Sequence, residues 1–210
     1  MKKQKNYVLT PESFMSEKER KKLLLNCLEK AELDLLKGRI IWPTRYMLID
    51  IAIFSGLRVA EIASLKIEDL YLNSTDPFLV VRNGKGGKKR TVYLDNELKR
   101  HLKDYIAFKC KVLGHSTESN APLFGGRNNK HCPPITLMKS FKVALAEAGL
   151  PSRYSIHSCR HTYATFLLRD TGNLKFVQMQ LGHSSIAMTS LYASILPEEN
   201  SKLANCIKRD

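Results

Sequence analysis

The chain has 210 residues, of which 43% are hydrophobic, so it has room for one substantial domain with a real core and a short appendage. Its 34 Lys and Arg residues against 20 Asp and Glu residues give a formal net charge of +14, which indicates a polyanionic partner, nucleic acid before a membrane surface. No apolar run approaches the roughly 18 residues of a spanning helix, and residues 1–14 lack the apolar segment of a signal peptide. We therefore expect a soluble protein.

The five cysteines are odd in number, scattered and never spaced as C-x-x-C, which predicts reduced thiols and a cytoplasmic location. A zinc site is the alternative, because His157 and His161 lie one helical turn apart near other possible ligands. Arg160 between these histidines would repel a cation, and the spacing fits no closed ligand set, so we expect no metal. The residues considered for such a site are His131, Cys132, His157, Cys159 and His161.

The N-terminal part of the chain predicts an arm and two helices. Residues 1–15 are polar and are interpreted as a flexible arm. Apolar residues recur with helical period over residues 16–37, which predicts an amphipathic helix. Residues 43–54 are apolar on nearly every face and begin with a proline, which indicates a central buried helix ended by Gly56.

Residues 57–65 are predicted to form a short helix in which Arg58, Ile62 and Leu65 share a face. An arginine directed inward is costly unless an anion or an acidic partner meets it. The alternative is an ion pair between Arg58 and Glu61 on the surface.

A β-hairpin is predicted from residues 77–81 and 90–94, which are rich in β-branched and aromatic residues and flank the turn NGKGGKK. Lys85 lies between two glycines at the tip, with Lys88 and Lys89 close behind. A basic, glycine-rich turn can approach DNA closely. A solvated turn whose lysines discourage edge pairing is the alternative.

Two further helices are predicted at residues 96–112 and 134–150, separated by a loop at residues 114–133 that contains several Gly, Asn and Pro residues. On the second helix, Lys139 and Lys142 face away from the apolar stripe. They could contact a DNA backbone or simply face solvent.

Residues 156–194 hold the densest set of candidate functional residues. On a helix, His157 and Arg160 would share one face with the apolar residues Ala164 and Leu168. The charge of Arg160 would then point inward, where a phosphate could bind it. The alternative is an ordinary hydrogen bond and an arginine whose stem is buried.

The same stretch ends in a second histidine and a tyrosine. Gly182 is predicted to cap a helix, which places His183 just beyond the cap, and Tyr192 follows nine residues later. Pro197 then breaks the chain, and residues 197–210 form an amphipathic tail that could pack on its own domain or on a neighbour.

Four motifs follow one another along the chain and resemble those of the tyrosine recombinases, also called phage integrases. They are GLRVAEIASL, NGKGGKKRTVYL, HSCRHTYATFLL and LGHSSIAMTSLYAS, and the resemblance covers about residues 43–196. It implies that family's catalytic-domain fold, mainly α with a small antiparallel β-hairpin or sheet (α+β), over residues 16–196. It also implies a site-specific DNA recombinase or integrase, with double-stranded DNA as partner and a homotetramer assembled on it.

The implied chemistry cleaves and rejoins DNA strands through a 3′-phosphotyrosine intermediate, without metal, nucleotide or other cofactor. By the resemblance, Arg58 and Arg160 would hold the non-bridging oxygens of the phosphate and His183 would hydrogen-bond it. Two guanidinium groups suit this task because their planar donors match phosphate oxygens and supply positive charge where negative charge grows.

The implied proton transfers involve three other residues. Tyr192 would be the nucleophile, and because a tyrosine has an ordinary pKa near 10 it needs a base or a cationic field at neutral pH. His157 would assist that proton transfer, and Lys85 would protonate the leaving 5′-oxygen.

Family members usually carry a separate N-terminal domain that clamps the opposite face of the DNA, whereas about forty residues precede the buried helix here. We therefore expect either a short recombinase, like the one-domain members of DNA-inversion switches, or a fragment. A type IB topoisomerase-like enzyme and a non-catalytic DNA-binding regulator with the same fold are the alternatives; the position of His157 and the short spacing from LGHSS to the tyrosine favour the recombinase.

Overall fold

A computed structural model describes residues 10–84, 87–126 and 130–193 of the chain. Within these ranges it has eight α-helices and one three-stranded antiparallel sheet, which confirms the predicted mainly α fold with a small sheet. The helices are α1 (Glu17–Leu36), α2 (Ile41–Ser55), α3 (Val59–Ser64), α4 (Asn96–Lys111), α5 (Pro134–Glu147), α6 (Ile156–Thr171), α7 (Leu174–Leu181) and α8 (Ile186–Ala193). The strands are β1 (Leu70–Tyr71), β2 (Phe78–Val81) and β3 (Arg90–Tyr93). In the described part of the chain, no helix is long and apolar enough to cross a membrane.

The last residues of the predicted flexible arm are packed against the domain, which corrects its boundary at residue 15. Met15 is fully buried, and its N–H donates to the Thr162 hydroxyl at 2.9 Å. Residue 15 therefore belongs to the folded part. Residues 1–9 of the arm and the predicted tail at residues 197–210 lie outside the described residues.

Helix α2 forms the centre of the main core and begins two residues earlier than predicted. The Asp34 carboxylate accepts the N–H of Trp42 in its first turn, and Pro43 fits there because the N–H groups of a first turn have no partner within the helix. The helix ends at Gly56, as predicted, in a left-handed conformation with φ of 63°. This abrupt end turns the chain towards Arg58.

The predicted hairpin is present, with β2 and β3 paired antiparallel and Val81 opposite Arg90. Strand β1 adds a third member by pairing with β2, and its two residues are too few to show a strand period in the sequence. The hairpin therefore places Arg90 at the start of β3, beside its turn.

Two groups of buried side chains meet along α6. Ile156 and Cys159 at its beginning belong to the main core, which is built largely from α1 to α5 and the sheet. Further along, α6 contributes to a smaller cluster with α7 and α8. This cluster consists of Ala164, Leu168, Val177, Leu181 and Tyr192. Arg160 and His161 lie on α6 between the two groups.

Candidate active site

Arg58 lies immediately before α3 and not on it, so the prediction that it shares a helical face with Ile62 and Leu65 is wrong. Its backbone is extended, with φ of −76° and ψ of 153°. Its Nη1 lies 2.9 Å from Oε1 of Glu61, and its backbone N–H donates to Oε2 of the same carboxylate at 2.8 Å. The ion pair named as the alternative is thus present, but the Glu61 side chain is only 3% exposed and the pair is not a surface one.

Arg90 provides a second set of donors to Glu61. Its Nη1 and Nη2 donate to Oε1 and Oε2 at 2.7 and 2.9 Å, which is a bidentate pair. Burial opposes the ionisation of Glu61, but the hydrogen bonds and charge of Arg90, together with the N–H and charge of Arg58, outweigh it and lower the pKa to about 2. Glu61 is therefore a carboxylate at neutral pH and joins α3 to β3.

Arg160 points inward from α6, as predicted, and is 2% exposed. Its partners are main-chain carbonyls: Nη1 donates to Gly56 O at 2.6 Å and Nη2 to Leu181 O at 2.7 Å. These carbonyls lie two residues before Arg58 and two residues before His183. Burial, followed by the charge of Arg58, lowers the pKa of Arg160 to about 10, so it remains protonated at neutral pH.

Gly56 and Gly182 are required by this arrangement. Both have positive φ, and a Cβ on Gly56 would lie 2.5 Å from a ring carbon of Tyr163. A Cβ on Gly182 would lie 2.5 Å from Cδ of Arg90. Gly182 caps α7, as predicted, and the chain turns there to place His183.

A basic cleft of about 520 Å³ opens between the hairpin and the turn after α7. It brings together Arg58, His183, Lys88 and Lys89 of the predicted set. Guanidinium, imidazole and ammonium groups around one cavity can bind an anion such as a phosphodiester. The lining residues are Arg58, Gly84, Lys88, Lys89, Arg90, Gly182, His183, Ser184 and Met188.

Tyr192 lies behind this cleft and is not among its lining residues. It is 3% exposed, and its hydroxyl is 2.9 Å from Nδ1 of His161. The rings of Tyr192 and His183 are nearly parallel, with centroids 6.3 Å apart. Nδ1 of His183 is in turn 3.0 Å from the Thr189 hydroxyl, which ties the turn after α7 to α8.

His161 contacts the Tyr192 hydroxyl, and the assistance of Tyr192 by His157 stays a prediction. The His157 ring is exposed and meets His161 edge-on, with centroids 4.3 Å apart. Partial desolvation and the charges of Arg160 and Arg58 lower the pKa of His157. Burial, then the neighbouring His157, Arg160 and His183, lower the pKa of His161 to about 3.

The sequence pattern indicated His161 only as a possible metal ligand. Its signal was its place one helical turn after His157 and directly after Arg160. Among the described residues, no group of three or more His, Cys, Asp or Glu side chains could hold a metal ion.

Two of the other predicted lysines, Lys139 and Lys142, lie on α5. Lys85 falls outside the described residues. Lys139 is exposed on α5 and does not line the cleft. Lys142 donates through Nζ to the carbonyls of Ser152 and Tyr154, both at 2.6 Å. This ammonium stabilises the turn before α6, and a contact of Lys142 with DNA stays a prediction.

Comparison with known proteins places these features in a family. Residues 14–199 match the model of the phage integrase family. A tyrosine recombinase of Pseudothermotoga lettingae is 34% identical over 160 residues, which are 76% of this chain and 52% of that protein. Tyrosine recombinase XerA of Pyrococcus furiosus is 32% identical over 184 residues, 86% of this chain and 57% of that protein. The chain thus spans about half the length of the curated relatives it matches.

Solved structures share the fold. A crystal structure of XerA recombinase superposes with a TM-score of 0.73 at 26% identity and covers 98% of this chain and 68% of that one. XerH site-specific recombinase bound to difH substrate, in a pre-cleavage complex, gives a TM-score of 0.74 at 22% identity and covers 99% of this chain and 57% of that one. Because the family model matches most of the chain and relatives are more than 30% identical over more than two thirds of it, the chain belongs to the phage integrase family.

Proposed function

We propose that the chain is the catalytic domain of a site-specific DNA recombinase, which cleaves and rejoins strands through a phosphotyrosine formed on Tyr192. One observation carries this proposal: the guanidinium of Arg160 holds together the two turns that present Arg58 and His183. The ring of His183 lies beside that of the buried Tyr192. The XerH complex with its difH substrate supports double-stranded DNA as the partner. A homotetramer on that DNA is part of the proposal.

The phosphate would bind between Arg58, Arg160 and His183. The two Arg160 nitrogens that bond main-chain carbonyls each carry a second N–H, so the side chain can be held by the protein and still donate to a phosphate oxygen. Fixed positive charge in a site built before DNA arrives stabilises the negative charge that grows on the phosphorane oxygens. Lys88 and Lys89 at the cleft would contact neighbouring phosphates.

Attack requires the Tyr192 hydroxyl to leave His161 and enter the cleft, which a shift of α8 would achieve. The phenol oxygen forms a bond to phosphorus as its proton passes to a histidine, and the bond from phosphorus to the 5′-oxygen breaks. His161 is neutral near pH 7 and holds the hydroxyl before this shift, and His157, which contacts His161 from the solvent side, is the proposed acceptor of the proton. Lys85 is proposed to return a proton to the 5′-oxygen.

A nicked suicide DNA tests the nucleophile, because the short strand diffuses away after cleavage and traps the protein on DNA. We expect a covalent adduct that resists denaturant with the wild-type protein and none with Tyr192→Phe. Tyr71→Phe is the matched control, since Tyr71 is exposed on β1, and it should react like the wild type. An adduct with Tyr192→Phe would refute the assignment, and relaxation of supercoils without strand exchange would favour a topoisomerase.

A further inference from the structure

The Glu61 carboxylate lies between two arginines at the edge of the cleft. Arg90 donates to both of its oxygens, at 2.7 and 2.9 Å. Arg58 donates to them through Nη1 at 2.9 Å and through its backbone N–H at 2.8 Å. Because the Glu61 side chain is only 3% exposed, these donors take the place of water.

The charges of this cluster explain why Arg90 is needed beside Arg58. Arg58 and Glu61 alone would form a neutral pair, and the carboxylate would compete with a DNA phosphate for the same donors. With Arg90 present, two positive charges meet one negative charge, so a net positive charge remains. Arg90 donates to Glu61 through both Nη1 and Nη2. The Arg58 guanidinium contacts Glu61 through Nη1 and has further N–H donors that can bind an anion.

Arg90 is also fixed against the turn that carries His183. Its Nε donates to Gln180 O at 3.1 Å, and its Cδ lies where a side chain on residue 182 would be. The Gln180 side chain accepts the N–H of Tyr93 at 2.9 Å and donates to the carbonyl of the same residue at 3.3 Å. Strand β3 is thus tied to the end of α7 on one side and to α3 on the other.

We propose that Arg90 is a positioning residue for the reaction: it satisfies the buried Glu61 carboxylate and thereby keeps the Arg58 guanidinium available to the DNA phosphate. This inference rests on the function proposed above. Arg90 need not touch the DNA to have this effect, since it acts through Arg58.

Arg90→Met removes the charge, so Glu61 should engage Arg58 more fully. We expect single-turnover cleavage of the nicked DNA at saturating protein to slow by about tenfold or more, with a smaller change in the Kd for DNA. The double variant Arg90→Met/Glu61→Gln should recover most of the rate, because a neutral amide competes weakly for Arg58. Arg82→Met is the control: it removes an arginine paired with Asp69 and Glu68 beside the same hairpin and should leave cleavage unchanged.

The double variant also guards against misfolding, because it leaves no unpaired carboxylate in the core, and Arg90→Lys should have an intermediate rate since it keeps the charge without the paired donors. A wild-type rate in folded Arg90→Met would overturn the inference. So would a double variant no faster than the single one, which would indicate a purely structural role.

The salt dependence of DNA binding separates this inference from the proposed function. Each phosphate contact contributes about 0.9 to the slope of log K against log salt concentration. Arg58→Met and Arg90→Met should each lose about one contact, and the double variant Arg90→Met/Glu61→Gln should regain it. If the wild type forms no adduct while the slopes follow this order, the cleavage function fails, and only the effect of Arg90 on phosphate binding by Arg58 stands. If the wild type cleaves and the Arg90→Met slope is unchanged, only the role of Arg90 fails.

Discussion

The two sides of the candidate site are held in different ways. On the arginine side, Arg58, Glu61, Arg90 and Arg160 are joined by charged hydrogen bonds and by donation to main-chain carbonyls. On the tyrosine side, Tyr192 sits in a small apolar cluster, and its hydroxyl contacts the neutral His161. Charged hydrogen bonds to buried groups are stronger than neutral ones, so the two sides should differ in how firmly they are fixed.

Helix α8 adds to this contrast, because it exposes several large apolar side chains. Ile186, Met188 and Leu191 are 51%, 42% and 37% exposed. A short helix with much of its apolar surface in solvent gains less from burial than α6, which crosses both groups of buried residues. The arginine side is therefore held the more firmly, and Tyr192, the proposed nucleophile, is carried on the more weakly held element.

The largest effect on stability is expected from Arg160→Met. It removes two buried donors and leaves the carbonyls of Gly56 and Leu181 without these partners, which should lower the free energy of unfolding by about 3 kcal/mol or more. Urea unfolding measures this. Arg169→Met on the same helix is the matched control, since Arg169 is 47% exposed and pairs with Asp170, and it should change stability by less than about 1 kcal/mol.

Glu61→Gln tests the arginine side through the dependence of stability on acidic pH. The folded-state pKa of Glu61 is about 2, below the unfolded value of 4.5, so its contribution is complete above pH 4.5 and is lost as the pH falls towards 2. Protonation of Glu61 should lower the free energy of unfolding of the wild type by about 3 kcal/mol over that pH range. A plot of the free energy of unfolding against pH should be flatter for Glu61→Gln than for the wild type in this window, and the two plots should be parallel above pH 5. Equal slopes below pH 4.5 would contradict the ion cluster.

Sequence alone predicted the parts of this site that depend on local pattern. The helical period of α6 directed Arg160 inward, and the glycines at 56 and 182 marked the ends of α2 and α7. Arg58 was misplaced because the start of a short helix is uncertain by a residue or two, and such a shift changes its direction.

The partners across the site could not be predicted from spacing. Arg90 is 29 residues from Glu61, and Tyr192 is 31 residues from His161, so each pair depends on how separate elements pack. Nothing local in the sequence indicates that the second histidine of H-x-x-R-H meets the tyrosine hydroxyl. The family resemblance named the catalytic residue types but not the contacts that hold them.

His161→Asn tests the tyrosine side in a different range of pH. The folded-state pKa of His161 is about 3 and the unfolded value is 6.5, so its contribution is complete above pH 6.5 and is lost as the pH falls below it. Between pH 6.5 and 5 the free energy of unfolding of the wild type should fall by about 2 kcal/mol, a loss that the variant should not show. Glu61→Gln should follow the wild type in this range, so acid should affect the tyrosine side first; a variant as acid-sensitive as the wild type would contradict this order.

The smallest effect is expected from Tyr192→Phe measured as stability and not as cleavage. It removes the hydroxyl bonded to His161 and keeps the ring within its apolar cluster, so it should cost only about 1 kcal/mol. Urea unfolding at pH 7 measures the cost, and hydrogen exchange across α8 should quicken while α6 stays protected. A loss as large as that of Arg160→Met would mean that Tyr192 is fixed as firmly as the arginine side. Tyr192 would then have to break a strong set of contacts to reach the cleft, and the contrast between the two sides would not explain how it moves.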